Sequence, residues 1–103
     1  MEKHILYIGL NDKDSKTQEV SVLNAYKIIN NILSGVGYDG WTITEATGFY
    51  KHESGEVVIE KSLQVLICFA NDKKTNEAIK QIKTALNQES VILEKESKDS
   101  FMV

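Results

Sequence analysis

Two stretches of helical periodicity, each bracketed by strand-like runs, constrain this chain more than any other feature. His4 to Leu10 (His-Ile-Leu-Tyr-Ile-Gly-Leu) is apolar on both faces, as a central strand is. A polar loop covers 11–18, and Ser21 is then placed to cap a helix. On that helix Val22, Leu23, Tyr26, Ile29, Ile32 and Leu33 recur at three- and four-residue spacing, and Gly35 and Gly37 end it. Trp41 to Tyr50 and Glu56 to Ala70 read as a hairpin around the turn His52-Glu53-Ser54-Gly55, and Gly48 suggests a bulge or a close backbone approach. Asn71 or Asp72 can cap a second helix to about Asn87, with Ala78, Ile79, Ile82, Ala85 and Leu86 as its inner stripe. Ser90 to Glu96 is a last strand and 97–103 a tail. The order β-α-β-β-α-β with right-handed crossovers predicts α+β, a ferredoxin-like split β-α-β: a four-stranded antiparallel sheet with both helices on one face. One domain over 1–103 is expected.

Charge and composition exclude several classes of function. The net charge is −3, which argues against a general nucleic-acid binder. All the basic side chains other than His4 and His52 are lysine, so an arginine clamp for phosphate or carboxylate is ruled out. There is one cysteine, Cys68, hence no disulfide framework and no thiolate zinc site. No apolar run approaches the ~20 residues of a membrane span, and Met-Glu-Lys-His leads straight into a strand with no signal peptide pattern. A bacterial cytoplasmic location is the expectation.

The helices of such a fold cover one sheet face. The apolar residues of the strands, among them Trp41, Ile43, Phe49, Val58, Leu66 and Cys68, exceed what two helices on one side can hide. An uncovered apolar face marks an interface. We therefore expect a homo-oligomer, dimer or trimer, joined through the sheet face or an edge strand. The alternative is that Phe101-Met102-Val103 folds back over that face.

Familiar catalytic constellations are missing. Asn11-Asp12-Lys13-Asp14 starts like a calcium loop, but Thr17 stands near the position of the required glycine and Glu19 comes too early, so a solvated loop is expected. Neither phosphate-loop glycine pattern occurs. His4 and His52 read as surface histidines and Cys68 as a buried inert thiol, so no metal site and no cofactor are expected. Glu45 and Glu60 lie on pairing strands, and with Lys51 and Lys61 nearby they read as ion pairs, not as an acid–base couple. The best cluster for a ligand is Phe49, Tyr50, Lys51 and His52 at the hairpin tip, with Tyr7, Asn11 and Lys13 at the end of the first strand. Aromatic faces stack a base and lysines meet phosphate.

The stretch Tyr7-Ile-Gly-Leu-Asn-Asp-Lys-Asp, with Gly48-Phe-Tyr-Lys-His and Val58-Ile-Glu-Lys, resembles a group of small uncharacterised proteins from phages and prophages of low-GC Gram-positive bacteria. The layout is also similar to the nitrogen-regulatory PII-like proteins, ferredoxin-like trimers that bind nucleotides between subunits. This chain departs from them in its short hairpin loop and in lacking their phosphate-gripping basic residues. The resemblance implies the fold and an oligomer more than a ligand. The resulting expectation is a non-enzymatic oligomeric binder that sequesters a small nucleotide-like ligand, suited to a phage counter-defence role. The alternative is an inhibitor or adaptor that binds a host protein through its acidic surface.

Overall fold

The computed structural model describes residues 2–51, 53–97 and 99–103. The elements are β1 (Glu2–Gly9), α1 (Val22–Gly35), β2 (Thr42–Lys51), β3 (Val57–Ala70), α2 (Asp72–Ala85) and β4 (Ile92–Ser97). The sheet order is β2-β3-β1-β4 and every pairing is antiparallel. This is the ferredoxin-like α+β layout expected from the order of periodicities.

Local chemistry sets the helix ends. Ser21 Oγ accepts the Asn24 N–H at 3.1 Å, and Asn71 Oδ1 accepts the Lys74 N–H at 3.1 Å, each satisfying an otherwise orphaned first-turn donor. Gly37 takes φ +105°, the left-handed conformation that turns the chain out of α1. Tyr38 N–H then closes back on the Leu33 carbonyl at 3.0 Å.

The alternation along β1 sorts its side chains. Leu6 and Ile8 are fully buried beneath the helices, with Leu63, Val65 and Ile67 of β3 beside them. Ala25, Ile29 and Leu33 of α1 and Ala78 and Ile82 of α2 close the core from above. Each buried Leu or Ile contributes about 1.5–3 kcal/mol relative to exposure. Tyr7 and Gly9 point the other way, onto the face the helices leave open.

Several expectations are corrected. His4 is not a surface residue: it faces the helices with Leu6 and Ile8 and is fully buried, because the alternation of β1 leaves it no other direction. Leu23 drops out of the α1 stripe and is 62% exposed; Ala25 takes the inner position. Gly48 sits in an unbroken register with Glu60. The irregularity lies instead between β1 and β3, where the pairing shifts between Glu2 and His4. Phe69 there takes φ +56°, a left-handed bulge conformation. Cys68, two residues before the end of β3, is exposed rather than buried. Phe101 and Met102 are exposed, and Met102 lies near Tyr38, Cys68 and Phe69. No helix is long and apolar enough to cross a membrane among the described residues.

The β2–β3 hairpin runs past the helices and gives the molecule extents of 47 × 24 × 22 Å. Its far end carries Phe49, Val57 and Ile59, all largely exposed.

Candidate functional site

A cleft of about 420 Å³ opens on the uncovered face at the end of β1, within the size range of small-ligand sites. Tyr7 and Gly9 of β1 and Glu60 of β3 lie along it, and Tyr50 of β2 and Ile92 of β4 flank it. The loop after β1 supplies Asn11, Asp12, Lys13 and Lys16, and Glu89 and Ser90 before β4 complete the rim.

Glycine at position 9 decides how Glu60 sits. A β-carbon there would fall 2.6–2.8 Å from the Glu60 carboxylate, closer than atoms pack. Without it the carboxylate lies across β1, and Oε2 accepts the Asn11 N–H at 3.0 Å. A carboxylate tied to a backbone donor is held in one place, as a binding or catalytic group must be.

The loop over 11–18 is exposed, as expected of a solvated segment, and it is internally hydrogen-bonded. Asn11 and Gln18 form a bridge. Asp12 Oδ1 accepts the N–H groups of Asp14 and Ser15 at 2.8 and 3.0 Å. The Asn87 amide donates to Asp12 Oδ2 at 2.9 Å and to Asp14 Oδ2 at 2.8 Å. Gln88 Nε2 donates to the Asn11 carbonyl at 2.8 Å, tying the loop to the end of α2. The Asn87 hydrogen bond, followed by the Ser15 and Asp14 N–H groups, holds the Asp12 carboxyl below its ordinary value. Asp12 is therefore an anion at the rim at neutral pH.

Of the residues singled out in the sequence, Tyr7, Asn11, Lys13 and Tyr50 meet at this cleft. Phe49 and Lys51 do not. They alternate with Tyr50 and so project from the other face of β2. His52 lies outside the described residues. Trp41 stands apart, donating from Nε1 to Asn30 Oδ1 at 2.8 Å against α1. Glu60 was expected to pair with lysine across the strands, and its place in the cleft was missed. The register sets Glu45 opposite Leu63 and Glu60 opposite Gly48, so the two carboxylates face opposite sides of the sheet. The available signal was a glycine on an otherwise apolar central strand, which marks a place where another group comes close.

A family model matches residues 3–101, nearly the whole chain, and its description is a protein of unknown function, DUF3574. The chain belongs to the DUF3574 family. That membership names no chemistry, and no curated protein matches the chain by sequence. Solved structures share the fold. A phage SAM lyase in complex with S-methyl-5'-thioadenosine matches with a TM-score of 0.72 and 24% identity, covering 92% of this chain and 79% of the other. The periplasmic divalent cation tolerance protein CutA from Archaeoglobus fulgidus matches with a TM-score of 0.65 and 13% identity, over 97% and 87% of the two chains. A DUF3240 family protein from Shewanella baltica matches at 0.57 and 8% identity, over 99% and 97%. These likenesses are of fold. The link to phage proteins runs through the lyase structure.

The lyase match corrects the reading of this DUF3574 member as a non-enzyme. That reading rested on the lack of a nucleophile–base pair, a metal motif or a phosphate loop. The same fold, over 92% of this chain, carries lyase chemistry in a phage protein.

Proposed function

We propose that this protein binds an adenosine-based sulfonium compound of the S-adenosylmethionine class in the cleft at the end of β1 and cleaves it as a lyase. The anchored Glu60 carboxylate carries this reading. It sits between Tyr7 and Tyr50, with Asp12 and Glu89 also on the lining. Three carboxylates repel a polyphosphate, whereas a sulfonium cation gains from both the anions and the aromatic faces. Tyr7 and Tyr50 offer flat surfaces to the adenine. Lys13 and Lys16 are the cations at hand for the carboxylate of the amino-acid chain. The ligand class is thus a nucleoside without phosphate.

In a lyase reaction the bond between sulfur and the side-chain carbon breaks. Its electron pair stays on sulfur, which becomes the neutral thioether of S-methyl-5'-thioadenosine. The four-carbon fragment closes on its own carboxylate or loses a proton, and no water is consumed. The protein's part is to fold the substrate into reacting geometry and to hold the charge, which in well-oriented systems is worth up to ~7–11 kcal/mol of barrier.

Support for a homo-oligomer comes from the same geometry. The cleft opens on the uncovered sheet face, and the hairpin beside it exposes Phe49, Val57 and Ile59. A second copy on that face would wall the cleft and hide Ile92, while Phe49, Val57 and Ile59, on the other face of the hairpin beyond the helices, offer a separate apolar contact.

The test is incubation of the purified protein with S-adenosylmethionine, followed by chromatography for S-methyl-5'-thioadenosine, with the mass of the intact assembly read by native mass spectrometry. Thioether release that depends on Glu60 is the expected result. Absence of release together with absence of S-methyl-5'-thioadenosine binding would remove the reading and return the cleft to a protein-contact surface.

A further inference from the structure

Toward the opposite end of β1, with His4 roughly 10 Å from Tyr7 and roughly 17 Å from Gly9 by strand rise, lies a second cluster that the proposed reaction does not use. The His4 ring is fully buried. Its Nδ1 lies 2.7 Å from Thr75 Oγ1, and Thr75 Oγ1 lies 2.6 Å from the Tyr38 hydroxyl. Tyr38 donates to the Asn71 carbonyl at 2.9 Å and accepts the Asn71 N–H at 2.9 Å. Counting protons along this relay assigns the tautomer. Tyr38 spends its one hydrogen on Asn71, so Thr75 donates to Tyr38. The Thr75 oxygen is then left to accept from Nδ1–H of His4.

Nε2 of His4 is then the ring atom left to hold either a proton or a metal, and it faces two carboxylates. Glu2 Oε2 is 3.0 Å away and Asp72 Oδ1 is 3.5 Å away. The three ligand atoms all lie within 4.8 Å of one another. An imidazole nitrogen and two anions converging on one point suit a cation there, which a metal provides by displacing the proton on Nε2. Bonds of about 2.0–2.1 Å in a tetrahedral zinc site put neighbouring ligand atoms ~3.3 Å apart, a value the two measured spacings bracket. An imidazole whose other nitrogen is fixed by a hydroxyl relay is the arrangement that orients histidine for a metal.

We propose that Glu2, His4 and Asp72 form a binding site for a divalent cation of the zinc class, completed by water, which ties the start of β1 to the start of α2. One imidazole and two carboxylates suit Zn²⁺ and discriminate against Mg²⁺, which prefers an all-oxygen octahedron. The ammonium of Lys95, 2.9 Å from Asp72 Oδ1, is the site's built-in competitor. It is a half-exposed side chain able to swing into solvent when the metal enters.

The experiment is calorimetric titration of ZnCl₂ into chelator-treated, tag-free protein, with a thermal melt alongside and MgCl₂ as control. One equivalent of Zn²⁺ per chain is expected, with a melting-temperature rise of roughly 10 °C at a hundredfold excess over the dissociation constant. Glu2→Gln and Asp72→Asn are partly exposed changes that leave the fold intact by circular dichroism. Each should weaken uptake about tenfold or more, whereas Lys95→Met should tighten it. The His4 Nε2 resonance should shift as zinc binds. Lack of uptake by the wild-type protein, or uptake that Glu2→Gln and Asp72→Asn leave unchanged, would overturn the proposal. A failed lyase assay does not bear on it, because the two clusters share no residue.

Discussion

The two ends of β1 handle polar groups in opposite ways. At the start of the strand, His4 is sealed under the helices and each ring nitrogen has a partner within 3.0 Å. At its end, Tyr7 and Gly9 face the open side, and the carboxylate of Glu60 crosses the strand to meet the Asn11 N–H at the rim of a cleft. One strand thus supports a closed polar network at His4 and an open one at Tyr7 and Gly9, three to five residues on. The difference is the parity of the position: even-numbered residues of β1 meet the helices and odd-numbered ones do not. A buried polar group is tolerated where its partners are complete, and a binding group is useful where they are not.

The largest effect should come from breaking the closed end. His4→Ala removes a buried ring and strands the Thr75–Tyr38 relay. A loss of about 2–4 kcal/mol is expected, read as a lower urea midpoint with an unchanged slope. Thr75→Val, which removes only the central hydroxyl, should cost about 1–3 kcal/mol. A change under half a kcal/mol in both variants would show that the relay is not formed.

The open end should respond in function instead. Glu60→Gln keeps the shape of the side chain and removes its charge. It should lower release of S-methyl-5'-thioadenosine by about 10²-fold or more, while the melting temperature stays within a few degrees. Equal loss of stability and activity would instead make Glu60 part of the framework. Gly9→Ala is a finer probe of the same point. The three atoms nearest the new methyl all belong to the end of the Glu60 side chain, so the fold should persist while the carboxylate is pushed from Asn11. We expect a loss of activity of about tenfold, smaller than for Glu60→Gln, with a crystal structure showing the displaced rotamer.

The smallest effect belongs to the rim of the closed end. The Lys95 hydrogen bond and charge hold the Asp72 carboxyl below its ordinary value, and Asp72 in turn holds the Lys95 ammonium above its own. The lowered carboxyl contributes stability above its unfolded value, near 3.9, and loses it as pH falls through the folded one. The raised ammonium contributes fully below its unfolded value, near 10.4, and loses that as pH rises through the folded one. The pair thus contributes a plateau with an acid and an alkaline flank. Lys95→Met should flatten both flanks in a pH series of urea midpoints, whereas steep flanks surviving in that variant would assign them to other groups.

Much of this architecture was legible before the structure. Helical and strand periods in the order β-α-β-β-α-β, with Ser21 and either Asn71 or Asp72 as caps and Gly35 and Gly37 as stops, are local properties that depend on neighbours within one turn or one strand. They lead to the ferredoxin-like layout because right-handed crossovers leave few alternatives. Tyr7, Asn11, Lys13 and Tyr50 were also singled out, from their chemical types. Phe49 and Lys51 were grouped with them because they are adjacent in sequence, and adjacency in a strand means opposite faces.

The elements, their order and the apolar positions that make them pack follow from local pattern, since burial of periodic faces is decided residue by residue along the chain. Which polar groups meet depends on how the strands and helices assemble. Glu60 reaches Asn11 across 49 residues of chain, and His4 reaches Thr75 across 71. A hydrogen bond at 3 Å depends on register and strand parity, to within a single residue. No local pattern carries that information, so the cleft and the buried histidine cluster became visible only once the strands were paired.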